Sequence, residues 1–348
     1  MTKKNIVVFG AGAIGSCMSA YLTRGGVEVT IIDPWFAHIL AIQKRGLHVT
    51  APEGEFTVKL RALHIDQVRD LGAPIDILIL AVKSHDTEWS TRYLVPYMAP
   101  HGVIVSAQNG LNEEIILSVV GPEKTVGMVP LFGAAIYDPG EALRSSAIGD
   151  GVSFELGELD GSDTPRLREL SELISNAGKV KVTKNIWGSL WEKLAGVSMR
   201  NALAGLTGFS SSTRIKNPTA RKIMMHIGKE VVEVGESQGI RFNEIYGVPF
   251  ENYKNLDRGG FQVIEEAWLK RAAASKTGLQ DHRSSLLQDV IKARRSETDY
   301  LNGIIVRKGK EKGIPTPVNQ AMVNAMYKLE AGEIKQDPGN LELFKEFI

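Results

Sequence analysis

At 348 residues the chain is long for one hydrophobic core, so two domains are the natural expectation. Forty-one basic side chains against forty acidic ones leave a net charge of +1, which excludes the electrostatic footprint of a nucleic-acid binder or of a protein held on an anionic membrane. A lone cysteine, Cys17, excludes an intrachain disulfide and, with no apolar run near the roughly 20 residues needed to span a bilayer, points to a soluble cytoplasmic protein.

The opening MTKKNIVVFGAGAIG superficially copies a signal peptide, but three glycines interrupt its apolar run and the pattern continues into a helix. Short β-branched runs mark strands at 5–10, 28–33, 75–82, 102–108 and 124–130. Helix-length segments, Ile14–Arg24 and Asp86–Met98, fall between several of them. Apolar strands alternating with helices predict a parallel sheet with right-handed crossovers. Weaker strand signals follow at 151–159 and 179–183. From about residue 185 the pattern turns helical, with long helices expected over Pro218–Gln238 and Ser285–Lys312. The expected architecture is an α/β Rossmann-type domain, 1–184, followed by an all-helical domain, 185–348.

Gly10-Ala11-Gly12-Ala13-Ile14-Gly15 lies just after the first strand and opens the first helix. One glycine suits the tight turn, one the approach of a pyrophosphate, and one the close packing of helix on strand. Amides at the helix start would face the phosphates, aided by the helix dipole. Asp33 ends the second strand, 18 residues after Gly15, where a carboxylate can hold the adenosine ribose hydroxyls. That carboxylate would repel a 2′-phosphate, so NAD(H) is favoured over NADP(H). Arg24, Lys44 and Arg45 remain cations able to approach the same place.

Ligands of open parallel sheets bind beyond the carboxyl ends of the strands. Lys83 and Asn109 follow two such ends, where Lys83 can reach a phosphate or ribose and Asn109 a ribose hydroxyl or the substrate. His85 reads better as a loop histidine than as an acid or base. In the helical half, WEKLAGVSMRNALAGLTG raises a choice. Either Lys193 is a surface lysine paired with Glu192 or another acid, or its ammonium is aimed into a cleft.

The chain resembles the ketopantoate reductase (2-dehydropantoate 2-reductase) family over essentially its whole length. The resemblance is carried by GAGAIG, by VK at 82–83, QNG at 108–110 and LWEKL leading to Asn201, and by SSLLQDVIKARRSETDYLNG at 284–303. It implies a Rossmann domain and a helical domain with the active site between them, and reduction of a 2-keto acid by a nicotinamide cofactor. It further implies Lys193 as proton donor, Asn109 where cofactor and substrate meet, Asn201 as orienting partner and Ser285 on the substrate carboxylate. Glu297 would hold the nicotinamide ribose, and Ala134 is the small residue beside the cofactor. No metal is expected, the partner is a small 2-keto acid, and a homodimer is plausible.

Those roles fit elementary chemistry. Reducing a ketone builds negative charge on oxygen, which a positioned ammonium stabilises and then protonates. In a partly apolar cleft its pKa should fall. On a helix Lys193, Val197 and Asn201 are spaced by four along one stripe. Ser285 and Glu297, on one continuous helix, would lie about 18 Å apart at roughly 1.5 Å per residue.

The sequence departs from the family pattern at Val197, where an asparagine is expected one turn after the lysine. Valine offers no hydrogen bond, which argues against ketopantoate itself and for a 2-keto or 2-hydroxy acid with a less polar distal end. The stretch 250–283 carries extra aromatic and charged residues, and Asp33 is a third departure. An NAD-dependent dehydrogenase of another 2-hydroxy or 3-hydroxy acid is the alternative, and a non-catalytic cofactor-binding protein the more remote one.

Overall fold

The computed structural model describes residues 4–149, 151–274 and 284–348. The chain divides into two compact units, Met1–Trp187 and Gly188–Ile348. Of the divergent stretch 250–283, residues 275–283 lie outside the described residues.

In the first unit the strands in chain order are β1 (Ile6–Phe9), β2 (Val29–Asp33), β3 (Leu47–Ala51), β4 (Gly54–Val58), β5 (Arg61–His64), β6 (Ile75–Leu80), β7 (Met98–Ser106), β8 (Thr125–Pro130), β9 (Ala134–Ala135), β10 (Glu141–Arg144), β11 (Phe154–Gly157) and β12 (Val180–Val182). Eight of them form the main sheet in the order β12-β11-β8-β7-β6-β1-β2-β5. From β8 to β5 every neighbouring pair is parallel, whereas β11 runs antiparallel to β8. The helices are α1 (Ala13–Arg24), α2 (Phe36–Arg45), α3 (Thr87–Leu94), α4 (Asn112–Val120) and α5 (Pro165–Ser175).

Two apolar layers explain why β1 reads IVVF without alternation. Ile6 and Val8 face one core cluster with Ile77 and Ile79, while Val7 and Phe9 face the other with Leu78 and Leu80. A parallel sheet covered on both faces needs such runs, and each fully buried aliphatic side chain contributes about 1.5–3 kcal/mol. Strands β4, β3, β10 and β9 form a second sheet whose short, mixed sequences had given no readable signal.

The second unit is helical: α6 (Ile186–Thr207), α7 (Ser211–Lys216), α8 (Pro218–Glu236), α9 (Glu251–Lys254), α10 (Gly260–Ala274), α11 (Ser285–Ile291), α12 (Asn302–Lys312) and α13 (Pro317–Glu330). Asn217 caps α8, its side chain accepting from the Ala220 amide, with Pro218 in the first turn. A small antiparallel pairing, Glu244–Ile245 with Val248–Pro249, precedes α9.

One expectation fails here. The long helix predicted over Ser285–Lys312 ends at Ile291 and resumes only at Asn302. Ala293 adopts φ +48°, a left-handed conformation no helix interior accepts. The Ser296 hydroxyl then takes the Thr298 amide, offering the backbone a local partner instead of a helical one. Ser285 and Glu297 therefore do not share a helix, and the 18 Å spacing inferred from one does not hold.

The loop between β1 and α1 depends on Gly15, because a Cβ there would stand 1.9 Å from the Gly10 carbonyl oxygen. Alanine in a helix ordinarily gains up to about 1 kcal/mol over glycine, but a contact this short forces the loop apart. Gly15→Ala is expected to destabilise the protein by about 1–3 kcal/mol in urea unfolding.

Candidate active site

The strand order turns at β1. From there the chain builds outward through β2 and β5, then returns to add β6, β7 and β8 on the other side. Binding crevices of such sheets open at this switch point. The glycine loop after β1, Asp33 ending β2, Lys83 after β6 and Asn109 after β7 follow the carboxyl ends of four adjacent parallel strands.

Each glycine of the loop has a separate reason. Gly10 has φ +102°, and a Cβ on it would meet the Ala81 carbonyl carbon and the Val82 amide nitrogen at 2.7 Å. At Gly12 an added Cβ would find nothing closer than the Ala81 oxygen at 4.0 Å, so this side is open to a ligand. Gly12 is also the N-cap of α1, which has no side-chain cap and no acid in its first turn. Uncapped first-turn amides and an open approach fit a pyrophosphate. Ala11 departs from the simple picture. It is buried and donates its amide to Asp33 Oδ2 at 2.6 Å, leaving the helix-start residues Gly12, Ala13 and Ile14 to meet phosphate.

Asp33 accepts a second amide, from Trp35, on Oδ1 at 2.7 Å. The carboxylate thus braces the loop and the entry to α2. Across the register from it is His64. A hydrogen bond to Asp66 raises the pKa of that imidazole, assisted by the Pro34 carbonyl, a feature not evident from sequence.

Further along the edge, Gln108 is buried and ties two strand ends together, donating to the Val82 carbonyl and to Thr87 Oγ1. The Asn109 carbonyl accepts from Ser84 Oγ and Asn112 Nδ2, and Gly110 follows with φ +98°. The backbone at Asn109 is therefore held, while its side-chain amide makes no hydrogen bond among the described residues. Ala134 lies half-buried in β9, paired with Arg144 of β10. His85 is near Asp86, 3.4 Å away, and forms no larger cluster.

In the helical unit the expected alternative partner of Lys193, Glu192, is engaged elsewhere. Glu192 accepts hydrogen bonds from the backbone and side chain of Asn243. Lys193 itself has no hydrogen bond or ion pair among the described residues. Leu190 and Leu194 beside it are buried, and so is Val197 one turn on. The lysine keeps partial solvent contact, yet its surroundings and the nearby positive charge of Arg200 push its pKa down to about 8.

Asn201, 8% exposed, donates from Nδ2 to Ser285 Oγ at 3.0 Å. Two residues 84 apart in sequence thereby meet. Ser284 caps α11 and also approaches the Asn201 carbonyl, which fixes the neighbouring serine. Glu297 is buried beside the 3-10 turn Thr298–Tyr300. A polar network missed by sequence reading holds α6 in place. Asn302 donates to the Ser198 carbonyl and to Asn319 Oδ1, and Glu230 accepts from Asn319 Nδ2 and from the amides of Val318 and Asn319. Among the described residues no group of three or more His, Cys, Asp or Glu could hold a metal, and no helix is long and apolar enough to cross a membrane.

Known proteins match both units. The model described as ketopantoate reductase PanE/ApbA matches residues 6–161, and its C-terminal counterpart matches residues 185–330. A 2-dehydropantoate 2-reductase of Archaeoglobus fulgidus is 27% identical over 334 residues, covering 95% of this chain and all of that one. Among solved structures, a PanE/ApbA family ketopantoate reductase from Ralstonia eutropha superposes with a TM-score of 0.76 at 24% identity, covering 94% of this chain and 99% of that one. D-mandelate dehydrogenase with NADH and anilino(oxo)acetate gives 0.80 at 24% identity with the same coverage.

The lowered pKa of Lys193 has a direct spectroscopic consequence. In NMR of the protein with ¹³C-methylated lysines, one resonance should titrate near pH 8, well below the ordinary lysine range. It should be absent from Lys193→Met. A titration above pH 10 would show that the ammonium is an ordinary solvated one.

Proposed function

The chain belongs to the ketopantoate reductase family and is a nicotinamide-dependent oxidoreductase acting on CH–OH groups, and from that premise we propose that it reduces a 2-keto acid to the 2-hydroxy acid with Lys193 as proton donor. The observation that carries this reading is the state of Lys193: half-buried, with a pKa pushed down to about 8 and no acid paired with it among the described residues. A lysine paired with a carboxylate would be held as a permanent cation, whereas this one can give up its proton near neutral pH.

When bound, reduced nicotinamide supplies hydride to the ketone carbon. Lys193 stabilises the charge that grows on the ketone oxygen, then donates its Nζ proton there. Ser285, oriented by Asn201, accepts the task of holding the substrate carboxylate, and Asn109 the task of orienting the polar atoms where substrate and cofactor meet. Gly12, Ala13 and Ile14 hold the pyrophosphate with the first-turn amides of α1, in a loop whose turn and packing need Gly10 and Gly15, Asp33 holds the adenosine ribose, and Lys83, Ala134 and Glu297 complete the cofactor contacts. Ketopantoate is the substrate in the relatives' name, but Val197 offers no hydrogen bond to its distal hydroxyl. This one position favours a second reading, a 2-hydroxy acid dehydrogenase with a different substrate that works with NAD.

The sign of the pH dependence follows from the lowered pKa. Reduction needs the ammonium, whose population falls as pH rises through about 8, so kcat/KM for reduction should decline above that pH. Oxidation needs the neutral amine and should rise through the same range. Lys193→Ala should slow reduction at least about a hundredfold, with cofactor affinity nearly unchanged and the inflection near pH 8 gone. Near-normal turnover in that variant refutes the assignment.

Cofactor choice is tested best with Asp33→Asn, because alanine would also release the loop amides that the carboxylate holds. Removing the charge alone should lower the ratio of NAD(H) to NADP(H) affinity by roughly tenfold or more. An unchanged ratio in fluorescence titrations would place specificity elsewhere.

A further inference from the structure

The helical unit carries a group of cations that the chemistry at Lys193 does not use. Arg200 follows Lys193 by seven residues, so both project from one face of α6 with Cα atoms about 10 Å apart along the axis. Arg200 Nε donates to the Gly196 carbonyl at 2.6 Å, which folds the guanidinium back by roughly one turn towards the lysine. Gly196 makes room for this, since a Cβ there would stand 3.4 Å from Nη2. One face of the guanidinium lies over the Tyr246 ring, 4.4 Å from its centre, and Arg271 reaches the same ring at 5.1 Å. The Nη1 and Nη2 edge is then the part of Arg200 left to meet a ligand.

Behind it is Arg214 of α7, 3% exposed, with its Nε lacking any hydrogen-bond partner. Among the described residues its side chain makes one hydrogen bond, a long one, from Nη2 to Ser211 Oγ at 3.3 Å. The charge of Arg200 bears on both Arg214 and Lys193. Among the described residues no carboxylate hydrogen-bonds or ion-pairs with Lys193, Arg200, Arg214 or Arg271. Other cations of this unit do have carboxylate partners, as Arg221 has Glu265, Lys229 has Asp257 and Lys254 has Glu236. A buried arginine and a stacked one, without a counter-ion among the described residues, form a receptor for an anion.

We propose that Arg200, steadied on Tyr246 and backed by Arg214, binds a second carboxylate at the far end of the substrate, so that the preferred substrate is a dicarboxylic 2-keto acid. This rests on the reduction proposed above, in which Lys193 serves the ketone and Ser285 the carboxylate next to it. Val197 lies between Lys193 and Arg200 on the same face of α6, where it suits the methylenes joining the two ends of such a diacid. The polarity that Val197 removes near the lysine thus returns, as charge, one turn further on.

The test compares 2-oxoglutarate with 2-oxopentanoate, which has the same five carbons but a methyl in place of the distal carboxylate. In the wild-type protein kcat/KM should favour the diacid by about ten- to a hundredfold, the size of a charge-assisted hydrogen bond. In Arg200→Met that ratio should collapse towards one, and Arg200→Lys should retain part of it. A thermal-shift titration with the two acids gives the same comparison without turnover. Equal or better use of the monoacid by the wild type overturns the inference while leaving the reductase reading intact. A ratio preserved in Arg200→Met, with both substrates equally impaired, also overturns it, since Arg200 would then serve the shared carboxylate or the fold. Failure of the wild type to reduce any 2-keto acid sinks the reductase reading instead, and stronger stabilisation by 2-oxoglutarate would still support the anion site. Should Arg200→Met not fold, the wild-type comparison and Arg200→Lys decide.

Discussion

An ammonium held partly out of water, with no carboxylate against it among the described residues, is the constraint on which the helical unit turns. Isolation of this kind is unfavourable for a charge, and a lysine on a loose helix would swing out to solvent or to an acid. Here α6 cannot move freely. The Ser198 carbonyl is tied through Asn302 and Asn319 to Glu230 of α8. Close approach of α8 adds to this, since a Cβ on Gly228 would strike Met199 and one on Gly235 would meet Trp191. A rigid helix whose neighbouring acid, Glu192, is already engaged by Asn243 leaves the lysine in its lowered-pKa state.

The first unit solves a separate problem by separate means. Its sheet is buried on both faces, so side chains along the strands can serve only packing, and chemistry is displaced to the strand ends. At those ends the backbone is fastened by side chains: Asp33 on the loop amide of Ala11, Gln108 on the Val82 carbonyl, Asn112 on the carbonyl of Asn109. Such fastening lets uncapped amides and an unbonded asparagine side chain await a ligand without local collapse. A site pre-ordered in this way loses less entropy on binding.

Charge balance gives the helical unit its particular character. A chain of net charge +1 has acids enough to neutralise its arginines, and in this unit Arg221, Lys229 and Lys254 each have a carboxylate partner. Arg200 and Arg271 instead share one tyrosine ring, and Arg214 lies buried with its Nε unpartnered among the described residues. Sequence counting does not register this, because it sums charges over the chain while binding responds to their local imbalance.

Much was legible before any coordinates. Strands β1, β2, β6 and β8 announce themselves because burial on both faces demands unbroken apolar runs, and the glycine loop because its backbone excludes Cβ atoms at Gly10 and Gly15. The second sheet was silent, since its short strands carry mixed sequences, and the helix expected from Ser285 to Lys312 was overread because periodicity cannot sense one left-handed residue, Ala293. The sequence by itself determined the element types, the position of the glycine loop and the presence of a lysine on an apolar helix, all consequences of local sterics and periodic burial. Only the tertiary structure decided that Asn201 meets Ser285, that Glu192 is taken by Asn243, and that Arg200 folds back to Gly196 while Arg214 lies buried without a counter-ion. Those facts join residues distant in sequence or choose among rotamers, and no local pattern encodes either.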